Sequence, residues 1–264
     1  MDSTNKTLYI PLYGKALVSR KGIILEDTKA EEIWEKEAFL LKGKARSKWL
    51  AYYMAMRRRV FDDIVRDRCR QLPDAVVLHI GCGMDSRAHR MNVDNRWYDM
   101  DFADVIRARK QYFSENEKYR MIVADATKPQ EWLHNFTKGS TAIIVMEGVT
   151  MYIEKPLLEN MLCQVQKHFS QVIFIADFYT TFGVKMSRIK NPVKAVGASV
   201  TGGMDSGSEL EINNGIKVVK EWDMSPERLI NRLKGSEKAI FRKLFAGSFA
   251  KKIYKMYEYD ITQV

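Results

Sequence analysis

The sequence predicts an α/β fold: a Rossmann-like, doubly wound, mainly parallel sheet with an N-terminal helical cap and C-terminal additions. Three observations predict it. Between residues 73 and 180, short β-rich apolar runs alternate with helical patterns. Most of these runs are apolar almost throughout, as strands covered on both faces are. The stretch VVLHIGCGMDSRAHR, residues 76–90, passes from such a run through Gly-Cys-Gly into a helix start.

The first long element is upstream. Residues 46–70 read as one helix whose apolar face carries Leu50, Tyr53, Met54, Phe61 and Ile64 at 3–4 spacing. Arg57 completes that stripe, while Arg58 and Arg59 point off it. A guanidinium on a buried face needs an anion, because it cannot shed its charge. A ligand, a core carboxylate or an escape to water by snorkelling would each satisfy it. The predicted strands follow at 76–80, 97–100, 120–124, 142–146 and 172–176. Helices are expected at 103–113 and 156–169. The second has Leu157, Leu158, Met161, Leu162, Val165 and Phe169 on one stripe. Residues 195–215 are rich in Gly and Ser and read as a surface loop or a mobile lid. A strand at 216–222, a helical region from Ser225 and a β-like run at 256–261 complete the chain. The expected division is one domain over 1–264: cap 1–72, ligand-binding core 73–180, additions 181–264.

Composition narrows the class. The chain has 264 residues, 46% of them hydrophobic, enough to bury a sizeable core. No run approaches the roughly 20 apolar residues that span a bilayer. The start, MDSTNKTLYIPLYG, lacks the basic and apolar stretches of a secretory signal, so a cytoplasmic protein is expected. Three separated cysteines and four histidines without ligand spacing argue against a disulfide framework and a metal centre. The net charge of +10 would attract an anionic partner, although most basic residues read as solvated faces.

Ligands of doubly wound sheets bind beyond the carboxyl ends of the strands. Those ends carry Gly81-Cys82-Gly83, Asp101, Asp125-Ala126 and Glu147-Gly148, four strands supplying one site. Gly81 and Gly83 permit a tight turn and a close backbone approach to a ligand. A helix N-terminus after them favours negative charge. Asp101, 20 residues beyond Gly81, suits hydrogen bonds to both hydroxyls of a ribose. A dinucleotide pattern would want glycine where Ser86 stands. Asp85 would either repel a pyrophosphate or cap the helix. The site therefore suits an adenosine cofactor without phosphates, and S-adenosylmethionine fits. On this reading Asp125 accepts from the adenine amino group and the Ala126 N–H donates to the ring. Glu147 meets the ammonium or sulfonium, unless it is simply an acid at a surface strand end. Arg57 takes the methionine carboxylate, and Asp125 has turn duty as its bland alternative.

VVLHIGCGMDSRAHRM, WYDMDFADVIRARK, VADATKP and MEGVTMYI, in that order, resemble the leucine carboxyl methyltransferase family. They are most like its bacterial branch, the tetracenomycin-type polyketide O-methyltransferases. The resemblance covers roughly residues 10–180. It implies a class I S-adenosylmethionine-dependent methyltransferase acting on carboxylates or hydroxyls. By motif it implies cofactor contacts from Gly81, Gly83, Asp101, Asp125, Ala126, Glu147 and Arg57. Lys15, in YGKALVSR, best matches a cofactor-binding lysine of the family. Tyr152, in the M-Y pair after strand four, would face the substrate or pack in the core. The implied reaction is in-line transfer of a methyl group to an oxygen. A carboxylate acceptor is already ionised near neutral pH, with a reference pKa of about 4, and needs no strong base. No catalytic base is therefore expected. A small, acidic substrate is favoured over a protein C-terminal carboxylate. The Asn/Asp-Pro-Pro-Tyr type of motif of a nucleic-acid methyltransferase is absent after strand four, where Glu147-Gly148-Val149 stands instead. A cofactor-binding protein without turnover is the remaining alternative.

Overall fold

The computed structural model describes residues 9–37, 46–190 and 200–264. Among these, seven strands form one sheet in the order β3-β2-β1-β4-β5-β7-β6. β1 (Val76–Ile80), β2 (Trp97–Asp101), β3 (Tyr119–Val123), β4 (Thr141–Met146) and β5 (Gln171–Tyr179) run parallel. The C-terminal residues do more than cap the sheet. β6 (Ile216–Trp222) and β7 (Tyr254–Thr262) extend it, with β7 antiparallel to both β5 and β6.

The chain winds outward from β1 through β2 to β3, then crosses to β4 and β5 on the other side. The switch point lies between β1 and β4. Ile80 pairs there with Met146, so Gly81 and Glu147 leave the sheet side by side.

Alternation sends the strand residues to two cores. One core holds Leu78, Ile80, Met100, Ile144, Met146 and Phe174, covered by α6 (Lys155–His168) through Leu158, Met161, Leu162 and Val165. The other holds Val77, Trp97, Ile143, Val145, Ile173 and Ile175. It is covered by α1 (Tyr9–Arg20), α2 (Thr28–Glu37) and α3 (Lys48–Gln71).

Two predicted elements differ in detail. α4 after the glycine turn is only Arg87–Arg90, one turn long, so the turn does not lead into the extended helix expected there. α5 is Ala103–Arg109, after which residues 110–113 continue in tight turns. The loop expected at 195–215 lies outside the described residues up to 199. Its remainder is tied down. Thr201 donates to Met151, Met204 donates to Tyr179, and a 3-10 turn at Gly207–Leu210 starts from a Ser206/Glu209 capping box. Met204 and Leu210 are buried. α7 (Thr181–Lys190) precedes the loop in the chain, and α8 (Glu227–Ile230), α9 (Gly235–Phe245) and α10 (Ser248–Lys251) follow it. No helix among the described residues is long and apolar enough to cross a membrane.

Candidate active site

A cavity of about 580 Å³ opens at the switch point. Its floor is the Gly81–Asp85 turn with Glu147 and Gly148, and α1 and α3 form its roof. Six of the sequence-predicted site residues line it: Lys15, Arg57, Gly81, Gly83, Glu147 and Tyr152. The other three, Asp101, Asp125 and Ala126, sit half-buried on the adjoining rim at the ends of β2 and β3.

The glycine turn is built by the protein for the protein. Gly81 has φ +68°, and a Cβ there would stand 2.3 Å from Val149 Cγ2. Its missing side chain therefore makes room for Val149, while the turn itself still lines the cavity. Gly83, also at positive φ, donates its N–H to Asp101 Oδ2 at 2.8 Å. Arg109 of α5, fully buried, donates to the carbonyls of Gly83 and Asp85 and to Asp99. The turn is thus held from below by a guanidinium that the sequence reading did not single out. The signal was available: Asp99 interrupts an apolar strand and needs a cation.

Arg57 is buried on the α3 stripe as expected, and its anions are core carboxylates. It donates to Glu147 Oε1 at 2.9 Å and to the Tyr254 hydroxyl at 3.0 Å, and stands 3.1 Å from Asp177 Oδ2. Arg58 does not point away. It is buried too, donating to Glu147 Oε1 and to Asp85. A helix turn spans 3.6 residues, so neighbours at i and i+1 both reach a roof pressed onto a concave floor. Arg59 alone turns outward, to Asp63.

Glu147 is not a surface acid. Arg57, Arg58 and Arg87 all donate to it, and these guanidiniums hold its carboxyl far below the usual range against the opposing effect of burial. Asp85 neither caps α4 nor faces outward. It binds Lys15 at 3.2 Å and Arg90 at 2.8 Å as well as Arg58. Ser86 occupies the cap position without a side-chain cap bond and donates instead to Asp27. Lys15, buried on α1, lies 3.9 Å from Asp27, and burial with Arg58 nearby lowers its pKa well below that of a free lysine. Five cations (Lys15, Arg57, Arg58, Arg87, Arg90) and five acids (Asp27, Asp62, Asp85, Glu147, Asp177) form one connected lattice.

The rim is different. Asp101 accepts from the Gly83 and Phe102 N–H groups, which leaves each oxygen a second acceptor position. Burial raises its pKa. Asp125 Oδ1 takes the Thr127 N–H and hydroxyl in a local turn, and Oδ2 has no hydrogen bond among the described residues. Ala126 packs against the core under α6. Phe102 and Val123 are both 58% exposed beside these acids. Together they offer acceptors for hydroxyls and an apolar surface for a flat ring. The donor set fits an adenosine cofactor without phosphates. The half-buried acids ending β2 and β3 could accept from ribose hydroxyls, and the buried Asp85 and Glu147 would repel a pyrophosphate. No group of histidine, cysteine and acidic residues among the described residues would hold a metal ion.

Sheet order, switch-point cavity and acid-tipped strands define the class I methyltransferase architecture. The sequence model of the family described as "Leucine carboxyl methyltransferase" matches residues 3–166, and the chain belongs to that family. It is an S-adenosylmethionine-dependent methyltransferase. It is 29% identical over 228 residues to the tetracenomycin polyketide synthesis O-methyltransferase TcmP of Streptomyces glaucescens, covering 85% of this chain and 84% of that one. Among solved structures, a protein from Thermobifida fusca assigned as a methyltransferase superposes with a TM-score of 0.62 at 14% identity, over 97% of this chain and 94% of that one. Magnesium protoporphyrin IX methyltransferase from Synechocystis, solved with S-adenosylhomocysteine, gives 0.50 at 11% identity, over 89% of this chain and 95% of that one. These two similarities concern the fold.

Proposed function

We propose that this methyltransferase acts on an oxygen of a small molecule and that the acceptor is a carboxylate. The observation that carries the reading is the charge balance of the floor. Its five cations and five acids cancel formally, in a place where an uncompensated charge is costly. S-adenosylmethionine, with sulfonium, ammonium and carboxylate groups, brings a net charge of +1. An anionic acceptor beside this floor offsets the added charge of the sulfonium, and a neutral alcohol does not.

When bound, the cofactor supplies an electrophilic methyl group on its sulfonium. Asp101 would hold the ribose hydroxyls, and Asp125 and Ala126 the adenine. Lys15, Arg57 and the free acceptor position on Glu147 Oε2 would face the methionine end. The rest is positioning and exclusion of water. No residue needs to take a proton from a carboxylate. In agreement, burial pushes the Cys82 thiol well up and lowers His79 to about 4, so neither side chain is poised as a nucleophile or base at neutral pH. Tyr152 lines the cavity beside Leu50, Met54, Met151 and Phe245, apolar and aromatic surface suited to an aromatic, polyketide-like acid. The relative that acts in tetracenomycin polyketide synthesis supports the same class.

The test uses S-adenosylmethionine labelled in its methyl group and a panel of aromatic acids beside the corresponding alcohols. The expected product is a methyl ester, which mild base converts to volatile labelled methanol. Label that resists base would mark an ether and overturn the carboxylate reading.

A further inference from the structure

The floor has no cation to spare for a substrate. Lys15 is engaged by Asp85 and Asp27, Arg57 by Glu147 and Asp177, and Arg58 by Asp85 and Glu147. If a carboxylate is to lie in this cavity, neutral donors must receive it. The cavity wall has a set of them. Tyr53 comes from α3, Tyr152 from the 3-10 turn after β4, Tyr179 from the last position of β5, and Tyr254 from the first position of β7. Tyr254 is committed, since its hydroxyl accepts from Arg57 at 3.0 Å. Its ring lies 4.8 Å from that of Tyr179 and backs it. The hydroxyls of Tyr53, Tyr152 and Tyr179 have no hydrogen-bond partner among the described residues.

Resting on the carboxylate reading above, we infer that the Tyr53 and Tyr179 hydroxyls join Tyr152 in binding the acceptor carboxylate by donated hydrogen bonds, with the Tyr254 ring packed against Tyr179. Phenols suit this task. Burial, together with the nearby Asp177 carboxylate, raises all three, Tyr152 to about 12, so each keeps the proton it donates. A phenol supplies a directed bond without adding charge to a balanced floor. It also holds an anion more strongly than a neutral ester, which favours product release. The step balances without a base. A lone pair of one carboxylate oxygen forms the new C–O bond, the C–S bond breaks, and its electron pair stays on sulfur. The phenol protons stay in place.

The test is calorimetric titration of the S-adenosylhomocysteine-saturated protein with 2-naphthoate and with neutral 2-naphthalenemethanol. Wild type is compared with Tyr53→Phe, Tyr179→Phe, the double variant, and Tyr98→Phe, whose ring packs on Phe136 under the other sheet face. Tyr to Phe removes only the hydroxyl. Each cavity variant should lose roughly ten- to hundred-fold in naphthoate affinity, as expected for a hydrogen bond to a charged group. Affinity for the alcohol should move by no more than a few-fold, and that for S-adenosylhomocysteine not at all. Tyr98→Phe should match wild type. Naphthoate affinity within twofold of wild type in the double variant overturns the proposal. So does an equal loss in Tyr98→Phe, or no naphthoate binding to a wild-type protein that holds S-adenosylhomocysteine. Failure of wild type to bind S-adenosylhomocysteine is a separate result, because it removes the cofactor site on which both readings rest.

Discussion

The two faces of the sheet use the same strands differently. Under α6 the strand residues are hydrocarbon: Leu78, Ile80, Met100, Ile144, Met146 and Phe174. On the other face the alternate positions carry His79, Asp99, Asp101, Asp177 and Glu258, met by Arg57, Arg68, Arg87 and Arg109. One face stabilises by excluding water. The other buries charge, which is rarely the cheaper way to stabilise a fold and points to function. The cavity opens only on the charged face. The lesson is that a strand read as one apolar run can hold every polar exception on one side, and that side is where the chemistry collects.

This contrast can be broken most directly by removing one member from each face. Glu147→Ala leaves three guanidiniums without their shared acid, an expected loss of about 3–5 kcal/mol together with loss of S-adenosylhomocysteine binding. Phe174→Ala opens a cavity on the apolar face and should also cost about 3–5 kcal/mol, yet leave the affinity of the folded protein unchanged. Urea titration gives the stabilities and calorimetry the affinities. If both variants lose binding alike, the division between faces fails.

Gly81→Ala should cost about 1–3 kcal/mol, from a positive φ and from the contact with Val149. Adding Val149→Ala should recover part of it, because only the contact is relieved. If the double variant is no more stable than the single, backbone strain accounts for the whole cost.

A smaller effect is expected from pH. His79 is sealed between Asp99 and Arg87, and burial lowers its pKa to about 4. Between about 6.5 and 4 the unfolded chain binds the proton that the folded protein refuses. This contribution is complete above pH 6.5 and is lost as pH falls toward 4. His89, whose ring packs on Phe113 and Tyr119 and whose pKa is also lowered by the desolvation this brings, acts in the same direction. His79→Gln should flatten the fall in urea midpoint between pH 6.5 and 5, whereas the carboxylates depressed by the arginines act at lower pH. An unchanged slope in the variant removes His79 from the account.

The smallest stability change belongs to the rim. Asp101→Ala removes a half-buried acid that serves only two backbone donors. Stability should fall by no more than about 1 kcal/mol, while S-adenosylhomocysteine affinity falls about tenfold or more. A stability loss equal to that of Glu147→Ala would mean that the rim is structural.

Much of this was legible beforehand. The five parallel strands, the long helix and the acids ending β2, β3 and β4 follow from local pattern, because alternation and 3.6-residue spacing survive in a linear record. Arg57 was legible for the same reason, as a charge on an apolar stripe. Arg58 was misplaced because one stripe describes a helix lying on a flat surface, and α3 roofs a hollow one. Asp177 and Tyr179, at the end of β5, and Tyr254 were passed over because their neighbours in sequence are apolar or unremarkable. Their significance comes from residues some 30 to 200 positions away.

Local pattern along the chain suffices for the parallel α/β core, the glycine turn and the order of acids along the strand ends. These depend on periods of two and 3.6 residues and on the φ that glycine allows. The packing in three dimensions adds that Val149 fills the space above Gly81, that Asp85 and Glu147 lie in a lattice of five cations and five acids, and that four tyrosines line one cavity. Charge compensation and shared cavities depend on distances in space, and residues far apart in the chain carry no local mark of the partner they will meet.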